Sequence, residues 1–201
     1  MAKVIQFPTP GPEKFGFKPV RKDPTTGKRK HGQLNLFTAG KVVSLHPLSR
    51  FEEALMLDDH GDKKAKDVYQ KAIAEGDSVA DAYCNLGILE SQEGSYTKAI
   101  DSFTKSLKEN PRHFEAHYNL ANLYAELGNL ALAKVHYQIS IEVEPHFPNS
   151  HFNLGLTLAM NKEIEEAIQS LKAYCKLVSA GDRVQAQELI DSLSRSAGNS
   201  L

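Results

Sequence analysis

The chain has 201 residues, 41% of them hydrophobic, which is enough for one domain with appendages and a sizeable core. Its net charge of −1 hides an uneven division: residues 1–50 hold ten Lys and Arg against Glu13 and Asp23, so residues 51–201 carry an acidic excess of nine charges. Prolines interrupt the N-terminus before any apolar run of signal-peptide length, and no stretch approaches the ~20 apolar residues of a membrane span; the expectation is a soluble, cytoplasmic protein without a membrane partner. Cys84 and Cys175 lie far apart with no CxxC spacing, so they read as buried free thiols in a reducing compartment rather than as a disulfide framework.

Residues 1–48 read as a basic, Pro/Gly-rich, mostly disordered tail. Six of the nine prolines fall here, before any helical pattern begins. Lys41–Leu45 reads either as a short strand or as an extended lead-in to the first helix. The positive charge permits salt-sensitive, non-specific contact with nucleic acid, or an intramolecular rest on the acidic body. Within the tail, Gln33-Leu34-Asn35-Leu36-Phe37 resembles the QLxLF pentapeptide by which bacterial DNA polymerases and repair proteins dock on the sliding clamp. In that motif Gln33 would make polar contacts at a pocket rim, while Leu34, Leu36 and Phe37 would fill apolar pockets. The resemblance implies a second reading, a DNA-associated or replication-linked factor recruited through the tail. The same side chains could instead pack onto the first repeat.

Ser49, before Phe51-Glu52-Glu53, is a candidate helix N-cap with acids in the first turn. Beyond it the chain repeats itself every 34 residues, in blocks 80–113, 114–147 and 148–181. The sixth position of each block is Asn85, Asn119 and Asn153, and the seventh is Leu86, Leu120 and Leu154. The eighth is Gly87, Ala121 and Gly155; the twentieth is Ala99, Ala133 and Ala167; the twenty-fourth is Phe103, Tyr137 and Leu171. Positions 4, 7, 8 and 11 share one face of a first helix, and positions 20, 24 and 27 one face of a second. The pattern predicts antiparallel helical hairpins, with small residues where the two helices approach and a large side chain beside them. Gly94 and Gly128 suit left-handed C-caps at the turns, and Pro111 and Pro145 end the second helices.

These residues resemble the tetratricopeptide repeat (TPR) pattern. The preceding segment 49–79 fits it more weakly, with Ala65, Tyr69 and Ala72 at positions 20, 24 and 27, and reads as a degenerate N-terminal repeat. Residues 183–194 read as a capping helix that covers the apolar edge of the last repeat. The TPR domain then spans 49–195. Departures from the pattern are His117 and His151 at position 4 and Lys162 in place of a turn glycine. The segment LHPLSRFEEAL (residues 45–55) further resembles one that leads TPR blocks appended to bacterial transcription regulators, which points to a bacterial protein.

The resemblance implies an all-α, right-handed solenoid whose first helices line a concave groove that binds a protein or an extended peptide. By that analogy the binding face would carry Asp81, Cys84, Asn85, Ile88 and Gln92, then Glu115, Tyr118, Asn119, Asn122 and Glu126. The third block adds Asn149, Phe152, Asn153 and Leu156, with Met160 beyond them. Some members grip the terminal carboxylate of a heat-shock chaperone with Lys, Asn and Arg. Here Cys84, Asn149 and Asn153 stand where basic residues would be needed and only Asn119 corresponds, which argues against that clamp. The three asparagines read either as a ladder for a peptide backbone or as groups that satisfy neighbouring helices. Asp81, Glu115 and Glu126 favour a ligand with basic character.

Nothing in the sequence points to an enzyme, a metal or a cofactor. His113 and His117 stand four apart in HFEAH, but Phe114 occupies the place where a zinc-peptidase signature needs Glu. His136, His146 and His151 are scattered, and no nucleophile elbow or phosphate-binding glycine loop occurs. The expectation is a non-enzymatic adaptor.

Overall fold

A computed structural model of the chain describes residues 48–198 and, upstream, the backbone of residues 36–38 and 41–43. Those two upstream pieces are strands β1 (Leu36–Thr38) and β2 (Lys41–Val43), paired antiparallel with Leu36 opposite Val43 and Phe37 opposite Val42. Of the two readings of the 41–45 segment, the strand is the one adopted over its first three residues. The rest of the tail lies outside the described residues, including its expected disorder and Gln33 and Leu34 of the pentapeptide.

The body is helical, as expected of a TPR solenoid: α1 (Arg50–Asp59), α2 (Ala65–Glu75), α3 (Val79–Gln92), α4 (Tyr96–Glu109), α5 (Phe114–Glu126), α6 (Leu130–Val143), α7 (Pro148–Met160), α8 (Ile164–Leu177) and α9 (Val184–Gly198). Helix α1 opens with a capping box, in which the Ser49 hydroxyl accepts from the Glu52 amide at 3.3 Å and the Glu52 carboxylate accepts from the Ser49 amide at 2.9 Å. The Phe51 amide donates to Asp77 Oδ2 at 2.7 Å, which ties the start of α1 to the end of α2.

Each odd helix packs antiparallel on the next even one, and each hairpin stacks on its neighbour, with α9 against α8. The first helices also touch one another directly, α3 with α5 and α5 with α7, so they form the inner layer of the stack. Gly94 and Gly128 take φ of +74° and +78° at the hairpin turns, and Lys162, at the same register, takes +65°. Pro111 and Pro145 follow directly on the C-caps Asn110 and Glu144 of α4 and α6.

The small and large positions meet as the periodicity requires. A Cβ on Gly87 would lie 2.9 Å from two ring carbons of Phe103, and one on Gly155 would lie 2.7 Å from Leu171 Cγ. Phe103, Tyr137 and Leu171 are fully buried, as are Ala99, Ala133 and Ala167. The core runs along the stack in three packets: around Phe51 and Tyr69, around Phe103 and Leu123, and around Tyr137 and Leu171. The last packet extends to Ala186, Ile190 and Leu193, the apolar face by which α9 closes the end of the solenoid.

Candidate functional site

Helices α3, α5 and α7 carry all fourteen residues of the expected groove. Seven of them are buried: Cys84, Asn85, Ile88, Tyr118, Asn119, Asn122 and Asn153. Gln92, Glu126 and Asn149 are exposed, while Asp81, Glu115, Phe152 and Leu156 are half-buried. Met160, at the end of the same face, is 43% exposed.

The asparagine amides are turned into the stack. Asn119 Nδ2 donates to Cys84 Sγ at 3.6 Å, across one repeat interface. Across the next, Asn153 Nδ2 donates to Asn122 Oδ1 at 3.0 Å and to the Tyr118 hydroxyl at 3.3 Å. Asn85 Nδ2 reaches the Tyr69 hydroxyl of the degenerate repeat at 3.2 Å. The Tyr137 hydroxyl donates to Asn122 Oδ1 at 2.5 Å. Each amide therefore joins its repeat to the preceding one, and the structure follows the second of the two readings of the ladder. Removing one partner of such a bond would strand a buried polar group at a cost of roughly 1–3 kcal/mol. Burial also pushes the Cys84 thiol well above its ordinary range, so it is poorly suited to reaction as a thiolate. The position where a carboxylate clamp needs a lysine is thus an uncharged group inside the stack.

The accessible part of the face divides into two chemical regions. Toward α3 and α5 it is acidic. His113 Nδ1 accepts the Ala116 amide at 3.2 Å as the N-cap of α5, so its proton sits on Nε2, which donates to Asp81 Oδ1 at 2.9 Å. Glu115 Oε2 approaches Nδ1 of the same ring at 3.5 Å. The Tyr96 hydroxyl donates to Glu126 at 3.3 Å. Toward α7 the face is apolar: Phe152 packs on Tyr174 with ring centres 5.0 Å apart, and Leu156 and Met160 continue the surface. Gln92 and Asn149 supply exposed amides at the two ends.

The histidines show an arrangement that sequence reading missed. His117 and His151, both at position 4, donate Nε2–H to the carbonyls of Pro111 and Pro145 at 3.1 and 2.9 Å. His and Pro each recur at a spacing of 34, so this bond was open to inference from the same self-comparison. What periodicity could not show is that His117 Nδ1 also lies 2.9 Å from Nδ1 of His136, whose ring stacks on Tyr124. His136 falls where the neighbouring repeats have Ser102 and Ser170. Among the described residues no group of three or more His, Cys, Asp or Glu gathers in a way that could hold a metal. Of the two thiols, Cys84 is buried and Cys175 only half-buried, and both are free. No helix among the described residues is long and apolar enough to cross a membrane. Of the tail motif, Leu36 and Phe37 contribute backbone to β1.

Comparison with known proteins agrees with this architecture. Family profiles described as tetratricopeptide repeat match residues 91–138 and 136–169. No curated protein matches the chain by sequence. Among solved structures, YrrB, described as a TPR protein with an unusual peptide-binding site, aligns at 22% identity with a TM-score of 0.65, covering 75% of this chain and 77% of its own. MamA from Desulfovibrio magneticus aligns at 19% identity and a TM-score of 0.58, over 73% of this chain and 94% of its own. The first TPR of Spaghetti (RPAP3), bound to the HSP90 peptide SRMEEVD, aligns at 19% identity and 0.55, over 59% and 93%.

Proposed function

We propose that this chain, a tetratricopeptide-repeat protein, is a non-catalytic adaptor that receives an extended peptide along the inner face of α3, α5 and α7. The observation that carries the reading is the division of the accessible face. Asp81, Glu115 and Glu126 form an acidic half with no lysine or arginine among them, His113 being buried against Asp81 and Glu115, and Phe152, Leu156 and Met160 form an apolar half one repeat away. Such a face favours a segment with Lys or Arg followed by large apolar side chains. YrrB, described with a peptide-binding site, and the RPAP3 complex with its bound peptide support the use of this fold for peptides. The peptide in the latter, SRMEEVD, carries several acids and would be repelled by the acidic half.

The test is a selection of random peptides on the full-length chain, followed by titration of the enriched sequences. They are expected to combine basic and apolar residues. Glu126→Lys and Met160→Asp alter exposed side chains and should each weaken binding at least about tenfold, with the thermal melt unchanged. Enriched peptides that bind both variants as well as the parent would remove the inner face from consideration.

A further inference from the structure

The outer helices carry a contrast that the peptide-binding reading leaves unused. Helix α6 places Leu132, Val135 and Ile139 on the side opposite its buried residues Ala133, Tyr137 and Ser140. Leu132 is 40% exposed and Val135 is 48% exposed. The repeats supply their own control. At the registers of Leu132, Val135 and Ile139, the degenerate repeat has Lys64, Asp67 and Lys71, and the first full repeat has Lys98, Asp101 and Lys105. The third full repeat has Glu166, Gln169 and Ala173. The fold evidently accepts charge at these positions, so packing inside the chain does not explain an apolar stripe in the middle repeat alone. A helix face of this kind on a water-soluble surface marks a contact with another chain.

We propose that this face of α6 is a self-association surface, on which a second copy of the chain docks with its own α6 running antiparallel. The pattern of the face is compatible with a two-fold axis at Val135. About that axis Val135 meets its counterpart, and Ala131 of each copy meets Ile139 of the other, a small residue against a large one. Leu132 then lies along the methylenes of the other copy's Gln138. The one charge of α6 on the stripe is Glu142, which lies 3.8 Å from the exposed Arg112 of the α4–α5 turn, and the same symmetry carries it to the other copy's Gly128–Asn129, at the positive end of the α6 dipole. No lysine or arginine of α6 lies on the stripe to repel its counterpart, whereas the matching registers at α2 and α4 each have two lysines. A single pair of four-turn helices buries less than the ~1,200 Å² of a standard interface, so the dimer is a weak, concentration-dependent one. It leaves the inner face of α3, α5 and α7 free, and would present two such faces at once.

The experiment is sedimentation velocity on the full-length chain from about 5 to about 500 µM, where a weak dimer of this size should form. The weight-average coefficient is expected to rise toward that of a dimer. The variant Leu132→Lys/Val135→Asp copies the surface of the preceding repeat, which keeps it foldable; it should shift the midpoint at least about tenfold upward with an unchanged circular dichroism melt. Gln169→Asp, at the register of Val135 in the next repeat, should leave the midpoint in place. In a Cys175→Ser background, Val135→Cys should cross-link to a disulfide dimer under mild oxidant much faster than Gln169→Cys. A chain that stays monomeric across the range, or a dimer that the double variant leaves untouched, overturns the proposal.

Discussion

Lys162 holds a backbone conformation that glycine holds at the same register in the two preceding repeats. With φ at +65° its Cβ crowds the following carbonyl, a strain of about 1–2 kcal/mol. Glycine would relieve that strain but would lose more freedom on folding, by roughly 0.5–1 kcal/mol. Lys162→Gly should therefore stabilise the chain by about 0.5–1 kcal/mol, read as a higher urea midpoint with unchanged slope. The His117–His136 contact works in the opposite sense. His117 gives its Nε2 proton to Pro111, so its Nδ1 lone pair receives the proton on His136 Nδ1, and burial followed by repulsion from His117 brings His136 down to about 4. Burial, the largest influence on it, lowers His117 as well. An unfolded histidine titrates near 6.5, so the unfolded chain takes up protons that the folded one refuses. The stabilisation is complete above that value and is lost as pH falls from about 6.5 toward 4. Discounted for partial exposure, it amounts to about 1–2 kcal/mol between pH 7.5 and 5. Urea melts at those two values should show the loss, and His136→Gln, which keeps a donor for His117 without a titrating group, should reduce it; an equal loss in the variant would assign the acid sensitivity elsewhere.

Elements were legible wherever a local rule and the period agreed. Ser49 reads as a cap because a hydroxyl residue precedes acids in a first turn, and the capping box is formed. Its hydroxyl and the Glu52 carboxylate together satisfy two amides at the head of α1, so Ser49→Ala should cost about 1 kcal/mol and fray α1 first, seen as faster amide exchange at residues 51–53. The helix pairs fall inside the 34-residue blocks because the small residues at positions 8 and 20 and the large one at 24 can meet in only one way, as Gly87 and Phe103 do. Gly87→Leu should overpack that contact and cost roughly 1–3 kcal/mol in the same melts. Helix α9, expected over 183–194, runs from Val184 to Gly198, since no proline or glycine stops it before its last residue. The inner face was legible only in outline. A helical wheel separates the side of α5 that meets α6 from the side that does not, but it cannot show how closely α3, α5 and α7 approach one another. That approach buries Cys84, Tyr118, Asn119 and Asn153, and it leaves Gln92, Glu126, Asn149 and Met160 exposed.

At the scale of the whole molecule, stability in a stack of this kind is close to a sum of repeat terms and neighbour terms, so the polar bonds between repeats set how far unfolding at one end spreads to the other. The joint between the second and third full repeats contains Asn153, whose amide bonds both Asn122 and the Tyr118 hydroxyl, and the Ser140–Ser150 hydroxyl pair at 2.8 Å. Apolar packing reaches the joint through Tyr118 against Phe147, the N-cap of α7, with ring centres 5.0 Å apart. Asn153→Ala would remove the amide from both acceptors. Asn122 would keep its bond from Tyr137, and the Tyr118 hydroxyl its bonds with Asn122 and Asn149, so the loss falls on the joint, as two bonds of about 0.5–1.5 kcal/mol each. Because nothing within α1 or α2 touches that network, amide exchange should accelerate in α7, α8 and α9 while α1 and α2 keep their protection. Acceleration spread evenly over all the helices would mean that the chain opens as one cooperative unit, and that the asparagine bonds do not divide it.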